Sequence, residues 1–448
     1  MNIFLILPNQ LFQISKTHLR TFRYDKIWII EEPHYFSSIS IKPNKIKIAY
    51  LRACMKYYFD NLRSEGFNVE YFDFDKVSLN PKNNYYSYEL TDFKLMDKYK
   101  RQGIVINEIQ SPMFLLTKED LDIYNRRRGV SHASLYELTK KKLGILEGIK
   151  NQDVYNRSNP RIEVPLNSRL NFINSSNERY YEEAIRYANR PIFKNHIGNP
   201  TLETLGVYPI SSKDAYDAYE DFLKTNIDKF GLYQDVIQAD NPFMYHSVIS
   251  PMLNNGLLIP ENLIKIVRKY EGKTSINNYE GFIRQIIGWR EYMRYLYLYK
   301  YDELINANSF NNYNNLGKEW YSGETGLLVI DKEIKKAIKY GYSHHITRLM
   351  IFLNFMIINE IKPEDIYKWF MEVISIDAYD WVMISNIYAM GYFSKVGMRR
   401  PYLSTSNYII KMSNYKKDGI WDKIWDEKFR DFVKSRKINF YLRSIKTK

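Results

Sequence analysis

Glu280-Gly-Phe-Ile-Arg-Gln-Ile-Ile-Gly-Trp-Arg-Glu-Tyr-Met-Arg294 is the stretch around which the rest of the chain falls into place. Advanced at about 100° per residue, it gathers Phe282, Ile283, Ile286 and Ile287 on an apolar side. Gln285, Trp289, Tyr292 and Met293 share the neighbouring side, and Arg290 and Arg294 stack one turn apart beside them. A flat indole, an amide and two guanidinium groups on adjoining faces suit a ligand that is planar and anionic. By helix statistics alone, the same stretch is a core helix whose arginines snorkel.

Outward from it, helical periodicity continues from about residue 214 to the end, broken at Pro242, Pro251, Pro260, Pro363 and Pro401. Residues 211–448 are therefore expected to be all-helical. Towards the N-terminus, residues 131–210 are polar and rich in Asn, Ser, Pro and Arg, with one helix expected around Tyr180 to Ala188. They are expected to form a long connector, partly wrapped on the surface. Before that, Ile3–Leu7, Lys26–Ile30, Val69–Phe72 and Gly103–Ile106 are short apolar or β-branched runs, and Ala49–Glu65 has a helical pattern. That alternation predicts a parallel-sheet α/β domain over residues 1–130. No GxGxxG follows a strand, and no fixed-period repeat is present.

The 448 residues can bury a full core and divide into two domains. A formal net charge of +14 favours a polyanionic partner such as nucleic acid; an acidic membrane surface would also fit the charge. The longest apolar run, Leu349 to Ile358, is broken by Asn354, so no transmembrane helix is expected. Residues 1–12 lack a basic start and Pro8 closes their apolar run, so they read as a first strand and not a signal peptide. Cys54 is the sole cysteine, which excludes an intramolecular disulfide and points to an intracellular, reducing setting; the chain is further expected to be a soluble, cytoplasmic monomer. The 40 tyrosines accompany abundant Ile, Asn and Lys, the signature of an AT-rich coding sequence. An aromatic residue counts here only where a motif places it.

Several familiar chemistries are excluded. Gly272-Lys273-Thr274 resembles the end of a phosphate-binding loop, but Val267 stands where its first glycine belongs. His344 and His345 are adjacent, with no i+4 histidine or nearby cysteine to complete a zinc site, so no metal is expected. No GxSxG elbow occurs, and Cys54 reads as a small buried hydrophobe.

The 280–294 segment resembles the flavin-domain signature of the cryptochrome and photolyase superfamily, in particular its bacterial branch of iron-sulfur (6-4) photolyases. Two further blocks follow at similar spacing. One is Tyr342-Ser-His-His-Ile-Thr-Arg-Leu-Met350 with Asn354, Phe355, Trp369, Asp377-Ala-Tyr-Asp-Trp381, Asn386 and Met390. The other is Arg400-Pro-Tyr-Leu-Ser404 with Ser406-Asn-Tyr-Ile409, Met412 and Ser413. Three ordered blocks are far harder to meet by chance than one. A weaker likeness reaches the N-terminus through Leu7-Pro-Asn-Gln-Leu11.

The resemblance implies FAD bound by the helical half. Asn241-Pro-Phe-Met-Tyr-His-Ser-Val-Ile-Ser-Pro251 with Asn254 looks like the flavin-phosphate loop, which assigns Ser247, Ser250 and Asn254 to the cofactor with charge from Arg290. By itself, such a Ser-x-x-Ser-Pro stretch is ordinary helix capping. Arg348 would pair with Asp377 against the flavin ring, favouring an anionic reduced flavin. Met383 would face flavin N5, where members of that branch carry a polar side chain, and Asn386 would also bind the cofactor. His345 would carry proton chemistry at a lesion pocket shared with His344, Gln285, Trp289 and Tyr402. Helical spacing puts His345, Arg348, Leu349 and Phe352 on one face. Arg399 and Arg400 would meet DNA phosphates, together with the tail from Lys411 to Lys448, whose 12 Lys and Arg against 5 Asp and Glu hold half the excess of the chain. A solvated basic tail explains the same charge.

Three departures from that branch stand out. Trp369 matches its flavin-proximal aromatic, but Phe370 replaces a tyrosine, and the remote tryptophan position falls on Tyr321 with Trp320 beside it. Its iron-sulfur cluster needs cysteine ligands that the region 415–425 lacks, so the cluster is expected to be absent, with Ile420, Trp421, Ile424, Trp425 and Phe429 packing in its place. Asn9 replaces an aspartate used for a lumazine antenna, which argues against that antenna and leaves its identity open. The expected activity is light-driven repair of pyrimidine dimers, of (6-4) type, in UV-damaged DNA. The alternatives are a cryptochrome-like photoreceptor that binds FAD without repair and a flavin-free nucleic-acid-binding protein.

Overall fold

Five short strands at the N-terminus align as one parallel sheet: β1 (Asn2–Ile6), β2 (Lys26–Ile30), β3 (Val69–Phe72), β4 (Asn84–Tyr88) and β5 (Ile106–Ile109), in the order β3-β2-β1-β4-β5. They belong to a computed structural model that describes residues 1–127, 129–156 and 171–438. β1 is central, with Phe4 opposite Ile27 on one side and Tyr86 on the other. Ile3, Phe4 and Leu5 are all fully buried, as a strand covered on both faces requires. Winding reverses between β1 and β4, which opens the crevice at the carboxyl ends of those strands.

Two details of the sheet differ from expectation. The run expected at Gly103–Ile106 becomes a strand at Ile106–Ile109, and β4 was not expected at all. Asn84-Tyr-Tyr-Ser-Tyr88 has no aliphatic residue, yet Tyr85, Ser87 and Tyr88 are buried. Aromatic rings supply the burial that a search for apolar runs assigns to Val, Ile and Leu.

Helix α1 (Lys45–Ser64) starts at Asn44, whose side chain accepts from the Ile46 N–H. It begins four residues before the expected pattern. The described part of the 131–210 stretch, expected to be mostly surface connector, contains the packed helices α2 (His132–Leu143) and α3 (Glu178–Ala188) and a single turn at Leu202–Leu205. Residues 157–170 of it lie outside the described residues. α3 packs along α1, and the buried Arg52 guanidinium fastens it there through Glu31 at 2.8 Å, Asp73 at 2.5 Å and Glu183 at 2.8 Å. Among the described residues no helix is long and apolar enough to cross a membrane.

From Ser212 onward the described elements are helical. Pro251, Pro260 and Pro363 each sit in the first turn of a helix, where the missing N–H costs nothing. Phe282, Ile283, Ile286 and Ile287 are buried, which makes residues 276–305 a core helix. At the C-terminal helix Trp421–Ser435 the expectation needs correction. Trp421, Trp425 and Phe429 are buried, but Ile420 and Ile424 are 58% and 37% exposed. The stripe Trp421, Trp425, Phe429 and Phe432 faces inward; Ile420 precedes the helix, and Ile424 turns to its outer flank.

The helical half is latched to the first half by polar contacts. The fully buried Glu291 carboxylate accepts from the Leu115 N–H at 3.0 Å and the Leu116 N–H at 3.3 Å. Arg290 Nη1 donates to Met113 O at 2.7 Å, and Arg294 Nη1 to Leu116 O at 2.6 Å. Their guanidinium groups lie 4.7 and 4.0 Å from the Phe114 ring centre. Lys47, on α1, reaches across to donate to Ala378 O.

Candidate cofactor and nucleic-acid site

Three helices that carry the candidate residues share one irregularity. Gln285–Arg290, Arg348–Leu353 and Ser385–Met390 are each wound as a π-helical turn inside an otherwise α-helical run. A π turn inserts one residue per turn, widens the helix and re-aims the side chains it carries, and it recurs at functional sites. Gln285, Trp289, Arg290, Arg348 and Asn386 all lie in these turns. A uniform 100° advance cannot reveal them. They also explain why His345, Arg348, Leu349 and Phe352 do not form one face: His345 is exposed, Arg348 half-buried, and Leu349 and Phe352 buried.

A single polar network joins residues from the 241–256, 280–294 and 342–413 blocks. Arg348 Nη2 donates to Asp377 Oδ2 at 3.0 Å, and Arg348 Nε to Ser343 O at 2.6 Å. Ser250 Oγ donates to the same Asp377 Oδ2 at 2.6 Å, and Asn254 Nδ2 to Asp377 O at 2.8 Å. Arg290 Nη2 completes the link to Asn254 Oδ1 at 3.4 Å. Two buried atoms of this network have no hydrogen-bond partner among the described residues: Asp377 Oδ1 and Arg290 Nε. Burial pushes Arg290 down to about 10, against the opposing pull of Glu291. An acceptor without a donor beside a desolvated cation fits a ligand that brings both an N–H and negative charge, as FAD does.

The loop before Asn254 is strained. Met244 and Val248 have φ of 45° and 52°, and for a β-branched residue that is a costly conformation. Val248 lies between Ser247, which is half-buried, and Ser250. Gly256 has φ 94°, and a Cβ there would lie 2.9 Å from the Leu11 amide nitrogen. That closeness lets Leu11 N–H donate to Asn255 O at 2.9 Å, binding the Leu7–Leu11 motif to the loop.

Around this network the remaining candidates fall into separate groups. Met383 is buried, and Asn386 Nδ2 donates to Val382 O of its own helix at 2.8 Å. Gln285 Nε2 donates to Gly281 O at 2.9 Å; Trp289 and Tyr402 are half-buried. His344 is buried with its ring stacked on His246 at 4.5 Å, and burial holds its pKa well below the ordinary value. A neutral His344 packed inside differs in kind from its exposed neighbour His345. The fully buried Trp369 donates through Nε1 to Trp320 O at 2.8 Å, and their rings lie 5.8 Å apart. Phe352 and Phe370 pack on Trp369 at 4.9 and 5.2 Å. Tyr321 is half-buried; burial first, then Glu372, raises its phenol. Arg399 and Arg400 are exposed, whereas tail residues 439–448 lie outside the described residues. Among the described residues no group of His, Cys, Asp and Glu could hold a metal.

Sequence reasoning missed His132, His246, Lys47 and Glu291. Of these, His132 alone had a local signal, the Ser131 and Ser134 capping box that starts α2.

A family described as deoxyribodipyrimidine photo-lyase-related protein matches residues 4–203. The chain is 30% identical over 402 residues to the (6-4) photolyase of Agrobacterium fabrum, covering 83% of this chain and 78% of that one. A cryptochrome structure from Synechocystis sp. aligns with a TM-score of 0.60 at 15% identity, over 97% of this chain and 88% of that one. A class III photolyase from Agrobacterium tumefaciens aligns at 0.59 and 16% identity, over 96% and 86%. At these identities the structural likeness concerns the fold.

Proposed function

The chain belongs to the cryptochrome and photolyase superfamily, and from that membership we propose that it repairs UV-damaged DNA in light, with (6-4) photoproducts as substrate. The observation that carries the reading is the network Ser250–Asp377–Arg348 with Asn254 and Arg290, two of whose buried atoms have no partner among the described residues. Reduced FAD, when bound and excited by near-UV or blue light, supplies the electron that opens a dimer flipped out of the DNA stack.

The rest falls to the chain. Arg348 fixes positive charge beside Asp377, and the bond from its Nε to Ser343 O holds it in that plane. Arg290 offers charge towards the cofactor's pyrophosphate from within a dry site. His345, exposed at the start of its helix, gives a proton to the lesion oxygen and recovers it as the base is restored. Gln285, Trp289 and Tyr402 hold the flipped bases, and Arg399 and Arg400 hold phosphates. Trp369 with Trp320 forms the start of a path for refilling the flavin with electrons. The lone, buried Cys54 belongs with a reducing, intracellular setting and with the absence of a cluster.

The test is an absorption spectrum of the purified protein, followed by irradiation with (6-4) and with cyclobutane DNA, for wild type and His345→Ala. Flavin bands, restored (6-4) bases and loss of repair in His345→Ala are expected. A protein without flavin bands, or a fully reduced flavoprotein that repairs neither lesion, overturns the reading. Phe370, which cannot lose a proton as a tyrosine would, favours the photoreceptor alternative; flavin bands without repair would select it.

A further inference from the structure

Trp289 does not stand alone in its pocket. His132, the first residue of α2, lies flat on it with ring centres 3.9 Å apart and planes 22° apart. Tyr136, one turn further along α2, lies nearly parallel to His132 at 6.3 Å and 12°. The pile ends in a fixed anchor: Tyr136 Oη donates to Glu280 Oε1 at 2.8 Å, and the fully buried Glu280 also accepts from Arg284 Nε at 3.1 Å and Gln152 N–H at 3.2 Å. Gly288 makes the pile possible. A Cβ at 288 would meet His132 Nε2 at 3.0 Å and Tyr136 at 3.2 Å, so any larger residue would push the two rings back by a few tenths of an ångström. The His132 imidazole is neutral at pH 7, because burial and then Arg284 push it down to about 4. Among the described residues its buried Nε2 has no hydrogen-bond partner, so a ring face and not a hydrogen bond is what it contributes.

We infer that His132 is a positioning residue of the damage pocket: the pile Glu280–Tyr136–His132 backs one face of Trp289 and presents the other to a flipped-out nucleobase. Among the described residues, the sole other ring beside Trp289 is Tyr292, edge-on at 6.5 Å, so one indole face carries no stacked ring. An indole held in one plane loses little freedom on stacking, and base stacking on such platforms tolerates any base with a π face. The inference rests on the DNA-repair reading and adds to it a second element, α2, that the resemblance did not assign to the pocket.

The experiment is dark binding of flavin-loaded protein to two duplexes of one sequence, with and without a (6-4) lesion, followed by fluorescence anisotropy. His132→Ala should weaken binding of damaged DNA by about tenfold while leaving undamaged DNA and flavin content within about twofold, given the usual worth of one aromatic stack. Gly288→Ala, which pushes the ring aside without removing it, should shift damaged-DNA binding in the same direction and serves where His132→Ala does not fold. Unchanged affinity for damaged DNA in both variants overturns the role of His132, as does an equal loss on both duplexes. A wild-type protein that does not prefer damaged DNA instead overturns the repair reading on which it stands.

Discussion

Asp377 shows at one residue how the site is held. Its Oδ2 takes both Ser250 and Arg348, while Oδ1 is buried with no partner among the described residues. Asp377→Asn leaves Arg348 facing an amide in a nearly dry place, so a loss of about 3 kcal/mol or more in urea unfolding is expected. Flavin retained per protein after gel filtration should fall with it. Lys47 makes a second case, being 1% exposed with a pKa pushed down to about 8 by burial, against the opposing pull of Asp92 and Asp377. Its native value lies below its ordinary 10.5, so between those limits the unfolded chain holds the extra proton and this group's contribution to stability rises with pH. Relative to Lys47→Met, the wild type should therefore gain unfolding free energy as pH climbs from about 8 towards 10, which denaturation of both proteins across that window would check. The Arg348–Asp377 pair was implied by the resemblance, whereas the Ser250 bond to Asp377 and the place of Lys47 are not legible in a sequence. Lys47 precedes the expected helical pattern, and the carbonyl it donates to belongs to Ala378, 331 positions away.

The π turns govern the scale of the element. Each adds one residue to a helix, so the flanks stay in register with the core while the turn itself is re-aimed. Deleting Ile286 should let residues 276–305 close into a plain α-helix, keeping the buried Phe282, Tyr295 and Leu296 in phase and turning Trp289 and Arg290 away. Near-native circular dichroism with most of the bound flavin lost is the expected result; full flavin content would speak against the turn as a site-building device. The apolar side of this helix was readable because Phe282, Ile283, Ile286 and Ile287 cluster whether or not the turn widens. The side-chain directions beyond it were not, and His345 at the surface beside buried Leu349 is the clearest instance. β4 was unreadable for another reason, since three tyrosines do there what aliphatic residues do in β1. α2 was hidden behind Lys140-Lys-Lys142, although Leu135, Tyr136 and Thr139 are buried beneath that run.

Across the whole molecule, buried imidazoles set a limit on acid tolerance. Burial holds His132 at about 4, His246 below the ordinary 6.5 and His344 well below it. Below about 6.5 the unfolded chain binds protons that the native state refuses, so stability from these groups is lost as pH falls. Buried Glu31, Glu291 and Glu333 are raised and act in the opposite sense, so the imidazole share must be isolated by difference. Denaturant midpoints for wild type and His132→Asn between about pH 7 and 4.5 should show the variant losing less. The division into a sheet half and a helical half was legible because alternating strands and unbroken helical periodicity are averages over many residues. The bonds that join the halves were not, because each depends on one residue meeting a distant backbone atom.

The Glu291 latch carries a consequence for anyone who would cut the gene. Its carboxylate is answered by the Leu115 and Leu116 amides, and Arg290 and Arg294 by the carbonyls of Met113 and Leu116, all supplied by the first 130 residues. A fragment spanning 211–448 would emerge from the ribosome with three charges stranded in a greasy cleft, and should be found in the pellet, colourless. On the proposed reading, flavin bands should accompany the chain that carries both halves and be missing from that fragment.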